Sequence, residues 1–417
     1  MNQRIHGARL YAAALFFGLA AVPGMSIALT LGEAIALAER EAPSLAARGA
    51  NLQAAQSLVT PAGQLPDPRL QLGLQNLPVE GDSRLRLGAE AMSMQMVGVM
   101  QEVPSRAKRR ARVDAAEATV RLAQAQRTVE QVKVRQFAAE AWIATLAAEQ
   151  KLTIFNQLYA ENRLLAQAVK AKIAGARGLS SDSVLPKQEA ALLAEQEDLL
   201  ARNKTIARAE LQRWIGEAAS LALEGSWPQW RNSPELYRHN LIRHPELLEF
   251  DPLTGRAEAQ IAEAVSEKTP DWAWGVDYQK RGSGFGDMIS LNVSFDLPVF
   301  TGSRQDPKIS AERARLEGLG AERQAMLLLL SQQLSADLAE LQRLERAFTR
   351  TDEILLPLAE EKVRLAMADY RSGQGELTSV IAARQERVAV RLRLIDLARD
   401  RSLTDAGLHF AFGDTQP

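Results

Sequence analysis

The sequence predicts a mainly α-helical chain that contributes strands to a transmembrane β-barrel. Four short segments alternate apolar and polar residues, they come as two pairs in separate halves of the chain, and long helix-forming stretches flank each pair. Only 5% of the 417 residues are aromatic, and abundant alanine, leucine, glutamate, glutamine and arginine favour long helices over one compact core.

The N-terminus has the three parts of a secretory signal peptide. Two arginines precede a short apolar run at 10–22, and a small-x-small cleavage site follows at 26–28. The run is shorter than the roughly 18 apolar residues of a spanning helix, so a membrane anchor is the weaker alternative. We therefore predict that 1–28 is a signal peptide and that the mature chain works in the periplasm or the outer membrane.

After this leader the chain repeats one order of elements: a helix, two strands, a long helix, a turn and a return helix. A capping box at 30–33 opens the first repeat, and Ser-Pro-Glu at 233–235 opens the second. The first repeat is predicted to span 29–216, a linker 217–232, and the second repeat 233–413.

The elements follow in the same order in both repeats. The predicted strands are 68–76, 85–102, 271–281 and 287–298; the predicted long helices are 105–173 and 304–372; the predicted return helices are 181–216 and 377–412. At 1.5 Å per residue each long helix would span on the order of 100 Å, which implies a coiled-coil-like assembly. Pro357 interrupts the second long helix and should bend it.

The strand pattern predicts which residues face lipid. Trp272, Trp274 and Phe295 belong to the apolar set of their strands, whereas the intervening residues are small or polar. Period-two alternation places the two sets on opposite faces, and apolar outward with polar inward is the pattern of an outer-membrane barrel. Small barrels need about eight strands, so a chain with four must oligomerise to complete its sheet.

The second strand is irregular, because the parity of its polar and apolar residues changes near Ala91. A bulge, or a strand that begins later, would produce this change. Four methionines share one parity there: Met92, Met94, Met96 and Met100. Thioethers suit Cu(I), but we expect these side chains to face lipid, while the sequence leaves a position facing the lumen open.

The composition argues against several classes of function. A net charge of −1 provides no electrostatic basis for nucleic-acid binding. The chain has 0 cysteines, which excludes disulfides, thiolate metal sites and cysteine nucleophiles, and its 4 histidines are not clustered. The sequence contains no phosphate loop, GxSxG or HExxH motif. We therefore predict no enzyme activity, no metal site and no cofactor.

Each long helix ends in a glycine turn that a leucine and a hydroxyl residue follow. These residues are Gly178, Leu179 and Ser180 in the first repeat, and Gly375, Leu377 and Thr378 in the second. Both glycines suit the left-handed geometry of a helix C-cap. Serine and threonine at such positions can cap the return helix, so on chemistry alone a structural role and a functional role are equally supported.

The chain resembles the TolC-like outer-membrane efflux protein family over 29–413. The resemblance rests on Leu-Gly-Glu-Ala-Ile at 31–35, on the duplicated order of elements and on the paired glycine turns. The chain length and the Tyr-Arg-Ser-Gly turn at 370–373 are most similar to the heavy-metal branch of that family, which exports cobalt, zinc and cadmium or copper and silver.

The resemblance implies a homotrimer in the outer membrane, with a 12-stranded barrel and a 12-helix tube that extends into the periplasm. The tube would dock through its glycine turns on a periplasmic adaptor, which an inner-membrane pump of the resistance–nodulation–division type feeds. Heavy-metal cations would pass through it passively. The candidate residues of a periplasmic gate are Arg177, Asp182, Arg371 and Glu376.

This chain departs from the family pattern at two places. Many relatives carry a lipidated N-terminal cysteine, which a chain with 0 cysteines cannot have. Some relatives close the tube with acidic residues shortly after the second turn, where this chain has Ser379 and Ala382. The alternatives are a periplasmic coiled-coil adaptor or scaffold, a dimeric coiled coil, and a drug or protein export channel of the same fold. An adaptor would not need strands that face lipid.

Overall fold

The computed structural model describes residues 28–413 except 88, 177, 231, 232 and 283. The predicted signal peptide, apart from its last residue, lies outside this part of the chain, as does the gate candidate Arg177. The described residues form long helices joined to one small antiparallel sheet, which confirms the predicted mainly helical class.

The first repeat begins with a split helix and continues into a very long one. Its helices are α1 (Leu31–Glu41), α2 (Pro43–Ala62), α3 (Arg106–Ala174) and α4 (Leu185–Ile215). The predicted capping box is present, because Glu33 N donates to Thr30 Oγ1 at 3.3 Å and Thr30 N donates to Glu33 Oε2 at 2.9 Å. The chain leaves the helical region at Ala42 because a proline follows. α3 has 69 residues and is about 100 Å long.

The second repeat follows the same order with more interruptions. Its helices are α5 (Pro234–Asn240), α6 (Pro245–Leu248), α7 (Phe250–Ser266), α8 (Thr301–Arg350), α9 (Leu356–Ser372) and α10 (Leu377–Phe412). A π-helical turn, Thr351–Leu355, separates α8 from α9 just before Pro357. Proline has no N–H to donate and its ring meets the carbonyl one turn earlier, so the helix widens there. Within the described ranges, no helix has the length and apolar character needed to cross a membrane.

One antiparallel sheet joins the two repeats. Its strands are β1 (Arg69–Gln75), β2 (Met94–Val103), β3 (Trp272–Lys280) and β4 (Met288–Phe295), in the order β1-β2-β3-β4. The central pair, β2 with β3, combines one strand from each repeat. β1 and β4 are edge strands, so each has one side without a strand partner in the described protomer.

The second strand is shorter than predicted, since it begins at Met94 and not at residue 85. The described residues of 85–93 form turns and bends instead. Leu85 has a φ of 55°, and its N–H donates to Pro78 O at 2.8 Å, so the chain folds back at this point. The change of parity in the sequence therefore marks the later start of the strand.

The largest core lies where α1, α3, α4 and the linker 217–232 meet. Trp142, near the middle of α3, is 1% exposed, and its indole N–H donates to Leu29 O at 3.1 Å. Buried alanines of α3 surround it and allow the neighbouring helices to approach closely. Trp227 and Trp230 of the linker pack against the same cluster. The linker therefore braces the middle of the long helix.

Candidate functional site

One face of the sheet is almost wholly apolar. Its exposed apolar residues are Leu70, Leu72, Leu74, Val97, Val99, Trp272, Trp274, Val276, Tyr278, Ile289, Leu291, Val293 and Phe295. The strand register places them side by side; Trp272, for example, lies opposite Phe295. Contiguous exposed apolar surface of this extent marks contact with a membrane or another protein. Trp272, Trp274 and Phe295, which we predicted to face lipid, all lie on this face.

The opposite face of the sheet is polar and hydrogen-bonded across strands. It carries Gln71, Gln75, Asp277, Gln279, Ser290, Asn292 and Ser294. Asn292 Nδ2 donates to Asp277 Oδ2 at 2.7 Å, and Gln279 Nε2 donates to Gln75 Oε1 at 3.4 Å. A sheet with one apolar and one polar face suits a boundary between lipid and a water-filled interior.

Three methionines of β2 lie on this polar face: Met94, Met96 and Met100. This placement corrects the expectation that they face lipid. Gln75 Nε2 donates to Met96 Sδ at 3.1 Å, and Gln71 Nε2 donates to Met100 Sδ at 3.7 Å. Met92 precedes the strand and lies in a turn. The register sets these faces, because Val97 lies opposite Leu72 of β1 and Tyr278 of β3, whereas Met96 lies opposite Gln279 on the polar face.

The two turns lie at the far ends of α3 and α9, and their glycines serve either a left-handed backbone or a close contact. Gly373 is left-handed with a φ of 83°, and in the first turn Ala176 is left-handed with a φ of 55°. Gly178 and Gly375, which we expected to be left-handed, are not. Gly375 allows a close approach instead, since a Cβ added there would lie 2.9 Å from Asp369 Cβ and 3.2 Å from its carbonyl carbon.

Alanine at either glycine of the second turn is expected to loosen that turn. A residue with a side chain is destabilised by about 1–2 kcal/mol in the left-handed conformation of Gly373. At Gly375 the added methyl group would lie too close to Asp369, which must shift. Hydrogen exchange of the amides in 365–380 should quicken by roughly 5–30-fold in each variant. Gly302→Ala in α8, where an added Cβ would meet nothing within 4 Å, is the control. Exchange at the control rate in both turn variants would contradict this account.

Contacts between the repeats hold the two turns together. Lys172 Nζ lies 3.8 Å from the centre of the Tyr370 ring and donates to Tyr370 O at 2.8 Å. The Tyr370 side chain is buried in one apolar cluster with Leu165, Val169, Leu377 and Val380. Burial, with a contribution from the Asp182 carboxylate, raises the pKa of the Tyr370 phenol. The two turns thus form one packed end of the protomer.

The predicted docking residues divide into exposed and buried ones. Leu179 is 69% exposed, whereas Leu377 is 2% exposed and supports the turn from inside. Ser180 and Thr378 are exposed. Neither α4 nor α10 has a side-chain cap among the described residues, so these hydroxyls do not play the capping role that their residue types suggest. Thr378 Oγ1 donates to Glu376 Oε2 at 3.0 Å instead.

The gate candidates lie around this same end of the protomer. Arg371 and Glu376 are exposed and Asp182 is half-buried. None of the three forms an ion pair with another described residue. Arg177, the fourth candidate, lies outside the described residues. In the part of the chain that the structure describes, no group of three or more His, Cys, Asp or Glu side chains is placed to hold a metal ion.

A buried cluster of charges, here named the Arg384 cluster, is missing from the sequence-based candidates. Arg384 Nε donates to Glu189 Oε1 at 3.0 Å, and both side chains are 5% exposed. Asn162 Nδ2 donates to Glu189 Oε2 at 2.7 Å, and Arg387 pairs with Glu161. The cluster joins α3 and α4 to α10. Its only sequence signal, two arginines three apart on a helix, is equally typical of a solvated face.

No protein-family model and no curated protein matches this chain, but solved structures do. A membrane protein from Pseudomonas aeruginosa has a TM-score of 0.78 at 16% identity, with 92% of each chain covered. The outer membrane protein VceC of Vibrio cholerae has a TM-score of 0.75 at 18% identity, with 92% of this chain and 96% of VceC covered. The CmeC outer membrane channel of Campylobacter jejuni has a TM-score of 0.75 at 11% identity, with 92% of this chain and 85% of CmeC covered. The chain therefore has the fold of outer-membrane channel subunits.

Proposed function

We propose that this chain, which has the fold of the TolC-like outer-membrane efflux proteins, forms a homotrimeric channel in the outer membrane with a long periplasmic tube. The channel takes substrate from a periplasmic adaptor, fed by an inner-membrane resistance–nodulation–division pump, and conducts it passively to the exterior. One observation carries this proposal. The sheet of four strands has an exposed apolar face, a polar opposite face and two edges without partners in the protomer.

A single protomer cannot complete such a sheet in a membrane. Each unpaired backbone group in lipid costs several kcal/mol, so only closed barrels are stable there. Pairing β4 of one copy with β1 of the next removes both edges, and three copies of the four strands close a 12-stranded barrel. The polar face then lines the interior, and the apolar face meets lipid. The number three comes from the family resemblance.

Heavy-metal cations are the proposed cargo. The three thioethers of β2 and the Asp277 carboxylate on the polar face support this choice, because soft cations favour sulfur and all cations favour negative charge. Among the described strand residues, the one arginine on that face is Arg69, which is paired with Glu102 at 2.9 Å. The alternative of a periplasmic adaptor or scaffold is not favoured, since such a protein has no use for an apolar sheet face of this extent.

Native mass measurement of the detergent-solubilised protein tests the assembly, and three copies are expected. Reconstitution of the same trimer into planar bilayers should then produce steady conductance without an energy source. A stable monomer that keeps its sheet would contradict the barrel, a dimer would contradict the number of copies, and a trimer that does not conduct would contradict the channel.

The packed end formed by the two turns is the proposed adaptor dock. The exposure of Leu179 supports it, and so do the exposed hydroxyls of Ser180 and Thr378, which cap neither α4 nor α10. Leu377 holds the turn from inside, and Gly178 and Gly375 let the backbone segments of each turn approach closely. The same end of the tube is the proposed periplasmic gate.

Removing the acidic side chains at this end is expected to ease opening of the gate. Asp182, Arg371 and Glu376 lie at the packed end formed by the two turns, and pairs between subunits there would hold the mouth closed, each worth about 0–1 kcal/mol when exposed. Asp182→Ala combined with Glu376→Ala should therefore raise single-channel conductance without changing trimer yield. Glu317→Ala combined with Glu322→Ala on α8 removes the same charge away from the mouth and should leave conductance unchanged. Wild-type conductance in the first double variant would exclude these carboxylates from the gate.

A further inference from the structure

The carboxylate of Asp277 lies over a glycine on the polar face of the sheet. Asp277 on β3 is the cross-strand partner of Gly98 on β2. A Cβ added to Gly98 would overlap with Asp277 Oδ1, so only glycine leaves room for the carboxylate there. Asp277 is 5% exposed in the protomer, an unusual environment for a charged side chain. The neighbouring strand is thus shaped to receive this carboxylate.

A second contact fixes the carboxylate from the other side. Asn292 Nδ2 on β4 donates to Asp277 Oδ2 at 2.7 Å. The register aligns Gln71, Gly98, Asp277 and Ser290 in one row that crosses all strands of the sheet. The position of the negative charge is therefore set by β2, β3 and β4 together, and Ser290 is its direct neighbour in the row.

The Asp277 carboxylate is also the unbalanced charge on this face. The charged residues of the strands are Arg69, Glu102, Asp277 and Lys280. Arg69 and Glu102 pair with each other at 2.9 Å, and Lys280 has the parity of the outward residues. Among the described strand residues, Asp277 alone therefore presents a net charge on the polar face. A buried carboxylate without a cationic partner is unfavourable unless positive charge arrives from elsewhere.

We propose that Asp277 determines the ion specificity of the barrel interior, where three copies form a carboxylate ring that favours cations over anions. Rings of acidic side chains are a general means of cation selection, and fixed charge in a narrow aqueous space concentrates ions of the opposite sign. This inference rests on the proposed trimeric channel. In the competing explanation, Asp277 only ties β3 to β4 through Asn292.

The reversal potential of the reconstituted trimer in a KCl gradient measures this specificity. The wild-type potential should correspond to cation preference, and Asp277→Asn, which keeps the side-chain shape, should move it toward zero. Asp277→Asn combined with Ser290→Asp returns a carboxylate to the same row and should restore the wild-type potential. Ser290→Arg neutralises the row with Asp277 intact and should also move the potential toward zero. These differences should shrink near 1 M salt, where the Debye length is about 3 Å.

The outcomes separate the two explanations even if one variant assembles poorly. A wild-type reversal potential in both Asp277→Asn and Ser290→Arg trimers would overturn the carboxylate ring and leave Asp277 with its strand-tying role. A shifted potential that Ser290→Asp restores would support the ring, because tying β3 to β4 does not require a charge at residue 290. If the wild-type trimer does not conduct, the proposed channel fails, whereas conduction without cation preference refutes the ring alone.

Discussion

Arginine in place of Leu291 is expected to prevent assembly of the trimer in the membrane, whereas arginine at the neighbouring Ser290 is expected to be tolerated. Leu291 is 76% exposed in the protomer and lies on the apolar face, at the middle of β4. Ser290 points to the polar face. Arginine on the lipid side of a barrel costs about 2–4 kcal/mol near the bilayer midplane and much less inside a water-filled lumen. In a trimer this cost applies to each copy.

The two variants are matched controls for each other, because they place the same side chain on adjacent residues of one strand. The yield of trimer extracted from outer membranes, measured by native mass, should fall sharply for Leu291→Arg and stay near wild type for Ser290→Arg. The total amount of expressed chain in each strain corrects for synthesis. Equal yields from the two variants would mean that the faces are assigned wrongly or that the sheet does not meet lipid.

The faces of β3 and β4 could be predicted from the sequence because period-two alternation is a local property. Trp272, Trp274 and Phe295 needed no tertiary information to be placed on one side. The same reasoning failed at β2, where a turn with Leu85 at positive φ comes before a late strand start. Methionine is apolar enough to look like a lipid-facing residue, so its position on the polar face emerged only from the register with β1 and β3.

The glycine turns illustrate a different limit. The residue types located both turns, but they did not distinguish a glycine needed for a left-handed φ from one needed for a close contact. The left-handed residues are Ala176 and Gly373, while an added Cβ on Gly375 would press on Asp369. That distinction depends on where the preceding helix ends by one or two residues, and local sequence patterns do not resolve helix ends so finely.

The Arg384 cluster could not have been predicted, because it depends on how the two repeats pack. Arg384 and Glu189 are 195 positions apart in the chain. Each lies among many other charged residues on helices whose opposite faces are solvated. This pair is buried because α10 packs against α3 and α4, whereas other ion pairs on the same helices stay exposed to water.

Replacing Arg384 with methionine is expected to loosen the helices near the packed end of the protomer. The change keeps much of the side-chain volume but leaves Glu189 buried at 5% exposure without its cation. Removing one partner of a buried ion pair costs about 3–5 kcal/mol. Arg364→Met is the control, since Arg364 pairs with Glu361 at side-chain exposures of 74% and 51%. Exposed pairs of that kind are worth about 0–1 kcal/mol.

Hydrogen exchange of 155–195 in the purified trimer, read by mass spectrometry, measures the effect. Arg384→Met should accelerate exchange there by about two orders of magnitude or more, as a loss of about 3–5 kcal/mol implies, and Arg364→Met should not. Adding Glu189→Leu to Arg384→Met removes the unpaired charge and should recover most of the protection, because well-packed apolar side chains can replace a buried ion pair at little cost. If the single Arg384 variant exchanges like the control, the cluster does not hold the repeats together. If the double variant fails to recover, Arg384 acts through its other acceptor, Glu161 O at 3.3 Å, and the attribution to Glu189 is wrong.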